Sequence, residues 1–198
     1  MSLLDKIFHT EQNKQPEWAN HSEQISWARD GKSFVTPLGR FNYVYAPNCV
    51  PPEFGYESDI QWYDVPEDAE ALAEYFPVGC YIDCNTPDTK DAGICLDRLT
   101  RLFEDRVWTD RRVKQAVANY FAGEDGMIKT GVGQDISKDE FVAEMEIVFI
   151  NLHRDGTTFY TVTIGAQFDL DGEIHVIYDD RDQVTFQTDE EFYGGAKE

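Results

Sequence analysis

The stretch from Ala143 to Asp180, AEMEIVFINLHRDGTTFYTVTIGAQFDLDGEIHVIYDD, decides the fold. Apolar residues alternate with polar ones at a period of two, the signature of strands with one buried face. Asp155-Gly156 is the dipeptide of a two-residue hairpin turn. That loop pairs Phe149 with Val162 and Ile147 with Ile164, and puts Met145 and Tyr160 on the same apolar face. At Leu170-Asp171-Gly172, a three-residue loop with Gly172 in the left-handed position pairs Phe168 with Ile174 and Ala166 with Val176, which continues that face. The expectation is an antiparallel meander over 143–153, 157–169, 173–179 and 183–188.

Upstream, Phe34 to Tyr45 is rich in aromatic and β-branched residues around Pro37-Leu38-Gly39, which predicts a hairpin or bent strand. Prolines and Gly55 make 46–55 a loop, and Ile60, Trp62 and Tyr63 mark a strand over 59–65. Helical spacing follows. Ala69, Leu72, Ala73 and Phe76 give a helix over 66–76, and Cys95, Leu99, Leu102 and Phe103 a second near 91–106. After a break at Trp108, a third opens with Thr109 as cap and carries Val113, Ala116, Val117, Tyr120 and Phe121 inward as far as Gly123. Residues 124–135 read as a glycine-rich loop, and Ser137-Lys138-Asp139-Glu140 as a capping box. The fold expected is α+β: an antiparallel sheet of about five to six strands with two to three helices packed on one face. Residues 1–31 form an arm with a short amphipathic helix, 32–188 one domain, and 189–198 an acidic tail.

The chain has 198 residues, with 17 Lys plus Arg against 38 Asp plus Glu and a formal net charge of −21. Binding a phosphate backbone needs clustered cations that release counterions, so this balance argues against nucleic acid and favours basic partners. The acids concentrate in 53–105 and 116–198, whereas Arg106, Arg111, Arg112 and Lys114 cluster against Asp110 alone, as a solvated helix face would. Leu3, Leu4, Ile7 and Phe8 share a helical face without the Lys/Arg-rich polar side of a membrane-surface helix. With neither a cleavable leader nor a long apolar run, the reading is cytoplasmic, with no membrane partner.

Chemistry-bearing residues give weak signals. Cys49, Cys80, Cys84 and Cys95 match a zinc site in number but not in paired spacing, and nothing near Cys80 or Cys84 is basic enough to lower a thiol pKa. His175 falls on the face opposite the apolar one and His153 at the end of the apolar face, while His9 and His21 lie in the arm. That separation supports neither a two-histidine metal site nor a triad. Asp169-Leu170-Asp171-Gly172 lacks the flanking acids of a calcium loop, and no phosphate-loop order occurs. No catalytic residue, cofactor or metal ligand is assigned. The residues assigned to partner binding are Asp179, Asp180 and Asp182, an acidic edge, with Trp62 and Tyr63 as aromatic anchors.

Thr36-Pro37-Leu38-Gly39-Arg40-Phe41, Ile60-Gln61-Trp62-Tyr63, the helix after Trp108, and Lys138-Asp139-Glu140-Phe141 leading to Arg154-Asp155-Gly156 together resemble a bacterial family, domain of unknown function 2262 (DUF2262). The resemblance covers most of 33–170, implies a bacterial cytoplasmic α+β protein, and transfers no catalytic residue. The function these features favour is a non-catalytic acidic protein-binding module that neutralises a basic partner, as toxin-immunity proteins do. A hydrolytic enzyme with a carboxylate or Cys site and a DNA-mimic inhibitor are the alternatives.

Overall fold

A computed structural model describes residues 33–36, 38–46, 53–65, 67, 77–84, 89–168, 170, 172–188 and 191. The arm over 1–31, the helix expected over 66–76, Cys49, and the tail over 189–198 save Glu191 lie outside the described residues.

In chain order the elements are β1 (Ser33–Thr36), β2 (Gly39–Ala46), β3 (Glu53–Ile60), β4 (Val78–Cys84), α1 (Thr89–Glu104), α2 (Arg106–Phe121), β5 (Ile128–Lys129), β6 (Asp135–Ile136), α3 (Lys138–Ala143), β7 (Met145–Leu152), β8 (Thr158–Ile164), β9 (Glu173–Tyr178) and β10 (Val184–Thr188). The α+β class holds, with three helices among the described residues. The main sheet, however, has eight strands in the order β1-β2-β3-β4-β7-β8-β9-β10, more than the five or six expected. Neighbours run antiparallel except β4 and β7, which pair in parallel from Gly79 with Phe149 to Ile82 with Leu152. A parallel pair requires a crossover, and α1, α2, the small β5-β6 hairpin and α3 supply it. All three helices contribute buried side chains to one continuous core with the sheet.

The extra strand residues come from the stretch expected as a loop over 46–55 and from Val78–Cys84, to which no element had been assigned. β2 runs through Ala46 and β3 begins at Glu53, inside the expected loop, while Asp59 and Ile60 end β3. β4 alternates strictly, with Val78, Cys80, Ile82 and Cys84 buried and the residues between them half-buried. The expected hairpin is present, pairing Thr36 with Gly39, and its Phe34 and Phe41 stack at 5.2 Å with Tyr56 edge-on to Phe34 at 4.9 Å. Such pairs add about 0.5–1.5 kcal/mol beyond the area they bury.

The meander forms with its apolar face against the core, and Met145, Ile147, Tyr160, Val162 and Ile164 lie on it as expected. Its first register differs. The His153 N–H donates to Thr157 O at 2.9 Å, so the loop is three residues long and Ile150 pairs with Tyr160. A one-residue slip exchanges faces, so Ile150 and Leu152 turn inward and Phe149 turns outward, 38% exposed. A bulge between Ile147 and Phe149 absorbs one residue and returns Ile147 and Met145 to the core. At the second loop the ladder ends where Ile164 N–H donates to Gly172 O at 3.0 Å. A 3-10 turn over Ala166–Phe168 fills the gap, and Ile174 pairs with Val162 rather than Phe168. The shift is an even number of residues, so Ile174 and Val176 keep their buried face.

The helices also start elsewhere than their spacing suggested. Asp105 alone separates α1 from α2, and α2 begins at Arg106, so Thr109 is a buried residue of the first turn and not a cap. Ser137 does cap α3, accepting the Glu140 N–H while the Glu140 carboxylate accepts the Ser137 N–H.

Candidate functional site

Where α1 gives way to α2, the helices stand off from the sheet and leave a cleft of about 430 Å³. The cleft has one wall from the helices, carrying Arg98, Asp105, Trp108 and Arg112. The other comes from the start of β8, the end of β9 and the turn Asp179–Asp182. Asp179, Asp180 and Asp182, named from the sequence as a partner surface, all line it.

The turn holds itself together. Asp179 Oδ1 accepts the backbone N–H groups of Arg181 and Gln183, each at 2.8 Å, a local bond that short acidic side chains make readily. Asp182 then takes φ +61°, a left-handed conformation that Asp tolerates better than most residues. Its carboxylate lies 3.3 Å from Arg112. Gly156 opposite has φ +102°, and a β-carbon there would stand 2.8 Å from Asp180 Cβ. Only glycine lets the two turns close on each other.

Arg112 is the centre of the helical wall. Its guanidinium carbon sits 4.5 Å from the centroid of Tyr178 and 5.1 Å from that of Trp108, within cation–π range of both rings. Burial raises the Tyr178 hydroxyl pKa, the nearby Arg112 charge opposing it. Behind it Tyr160 meets Tyr178 edge-on at 5.9 Å, and burial pushes its hydroxyl well above the ordinary tyrosine range. Arg98 works differently: one amino group donates to His153 O at 2.7 Å and Thr157 O at 2.9 Å, fastening the β7-β8 turn to α1. Burial lowers its pKa, the expected direction for a cation leaving water. Thr109 lines the cleft with a buried Oγ1 that has no hydrogen-bond partner among the described residues.

The expected aromatic anchors are elsewhere. Trp62 is 1% exposed, packed edge-on to Phe103 at 6.2 Å, and belongs to the core. Tyr63 is half-buried and donates to Asp110 at 2.9 Å while accepting the Ile147 N–H at 2.7 Å. Neither lines the cleft. The strand expected over 59–65 stops at Ile60, and the segment after β3 lays Trp62 against Phe103 of α1, where a large apolar ring is drawn out of water. The exposed aromatic at the cleft is Trp108, 61% accessible, next to Val107, also exposed. The sequence signal for it was present: Trp108 has only charged residues in helical step, Glu104 and Asp105 before it and Arg111 and Arg112 after it.

The cationic cluster is largely neutralised by pairing. Arg106 meets Asp64 at 3.2 Å, Lys114 meets Asp110 at 3.0 Å, and Arg112 meets Asp182. His153 does not end the apolar face as expected. Its ring tilts onto Phe159 at 4.8 Å with Nδ1 3.4 Å from Asp83, both outside the core. His175 is on the outer face as expected, yet buried, 3.1 Å from Thr161 Oγ1. Cys80, Cys84 and Cys95 are buried, and desolvation pushes Cys80 far above the ordinary thiol range. Among the described residues no group of three His, Cys, Asp or Glu side chains could hold a metal, and no helix is long and apolar enough to cross a membrane. No family model, curated protein or solved structure matches the chain.

Proposed function

We propose that the protein is a non-catalytic binding module that neutralises a basic protein partner, taking it up at the cleft between the α1-α2 junction and the Asp179–Asp182 turn. The observation that carries this reading is the placement of Asp179, Asp180 and Asp182 in one cleft with a largely exposed tryptophan. Exposed aromatics ringed by charge are the usual energetic centres of interfaces. The net charge of −21 supplies the longer-range attraction, which acts mainly on association rate and partner choice. Asp180 and Asp182 keep 64% and 75% of their side chains accessible, so both can face a cationic surface.

The test is titration with purified basic proteins encoded beside its own gene, at about 0.05 M and about 0.5 M salt, where screening lengths differ roughly threefold. Binding that weakens with salt, and weakens further in Trp108→Ala and in Asp180→Asn/Asp182→Asn, supports the module. Binding that is absent at low salt, or indifferent to all three changes, removes it.

A further inference from the structure

The cleft already holds a guanidinium. Arg112 lies between the Trp108 and Tyr178 rings with Asp182 at 3.3 Å, so two aromatic faces and a carboxylate converge on one planar cation. Planar guanidinium stacks on rings and shares its protons with a carboxylate in ways a compact ammonium does not. Resting on the reading above, we propose that this cage is selective for arginine, and that Arg112 is a placeholder which an arginine side chain of the basic partner displaces.

Three observations favour exchange over a permanent clamp. The pair between Arg112 and Asp182 is only partly shielded, with 33% and 75% of the side chains accessible, and exposed pairs of this kind hold weakly. Trp108 keeps most of its surface in solvent although Arg112 sits on it, leaving the cage open on the side a partner would approach. Thr109 keeps a buried, unpartnered Oγ1 in the same cleft, an acceptor that the five N–H donors of an incoming guanidinium could satisfy. An internal competitor lowers the apparent affinity by the fraction of time the cage is vacant, so its removal tightens binding.

The experiment measures the affinities of oligoarginine and oligolysine peptides of equal length by calorimetry, for the wild type, Trp108→Ala and Arg112→Ala. The expected result is a roughly tenfold preference for oligoarginine that Trp108→Ala abolishes. Arg112→Ala should tighten oligoarginine several-fold more than oligolysine, because charge removal alone would help both equally. If Arg112→Ala does not fold, the wild type and Trp108→Ala decide the matter. Equal affinity for the two peptides, or a preference that survives Trp108→Ala, overturns the arginine cage while leaving a salt-dependent basic partner in place. Absence of binding by either peptide at low salt overturns both readings.

Discussion

Tyr63 and Ile147 are joined by a 2.7 Å hydrogen bond from the Ile147 N–H to the tyrosine hydroxyl, which in turn donates to Asp110 at 2.9 Å. Ile147 is the residue at which the β7 bulge begins, so the bond fastens an irregular point of a central strand to the segment after β3 and, through Asp110, to α2. Lys114 extends the tie, 3.0 Å from Asp110 and over the Tyr63 ring at 5.2 Å.

Tyr63→Phe should therefore lower stability by about 1–3 kcal/mol, the cost of leaving a buried donor without its acceptor. Urea unfolding measures it. A loss below a few tenths of a kcal/mol would mean that the hydroxyl contributes nothing to the tie, and binding of a basic partner should be unchanged.

Gly156 predicts a second loss. With φ +102° and Asp180 Cβ 2.8 Å from the added atom, Gly156→Ala must shift both turns that flank the cleft. The expected cost is about 1–3 kcal/mol, and partner affinity should fall with it. An alanine variant as stable as the wild type would show that the turn relaxes freely.

The Cys80 thiol should be chemically silent. Cys80 is buried, and burial disfavours the thiolate that alkylating reagents require. Mass spectrometry after iodoacetamide at neutral pH should find it unmodified in the native protein and modified after denaturation. Rapid native labelling of Cys80 would revive a cysteine enzyme.

Two carboxylates should titrate low. Glu140 accepts the Ser137 N–H and hydroxyl, and Asp155 accepts the Thr157 N–H at 2.8 Å, so each anion is held below its ordinary pKa. Because the folded values are depressed, the stability they lend is complete above the ordinary carboxylate range. It is lost as pH falls through the depressed values. Carbon-detected NMR titration checks this directly, and Ser137→Ala should raise Glu140 toward its ordinary value while leaving Asp155 low. The Ser137 N–H, the larger cause, survives that substitution, so the rise should be partial, and no rise would mean that the hydroxyl contributes nothing.

Much of this could be read from the chain alone wherever a signal was local. The Ser137–Glu140 cap, the hairpin at Pro37-Leu38 and the alternation of β8 and β9 each depend on residues within a few positions of one another. Side-chain polarity and turn chemistry settle such features without help from the rest of the molecule. The turn between β9 and β10 was legible for a similar reason, its bonds being made within Asp179 to Gln183, whereas its place in a cleft was not.

Where the outcome depended on partners distant in sequence, only the tertiary structure decided it. Val78 to Cys84 became a central strand because β3 on one side and β7 on the other complete its hydrogen bonds. Phe149 left the core because one extra loop residue reversed its face and a bulge restored its neighbours. Trp62 sank under α1 and Trp108 stayed in water for the same reason: an aromatic side chain goes where the assembled layers offer a dry surface. Composition set the acidity and periodicity the α+β class, whereas the meeting of Arg112 and Trp108, neighbours on α2, with Tyr178 and Asp182 required the helix to pack against the end of β9 and its turn.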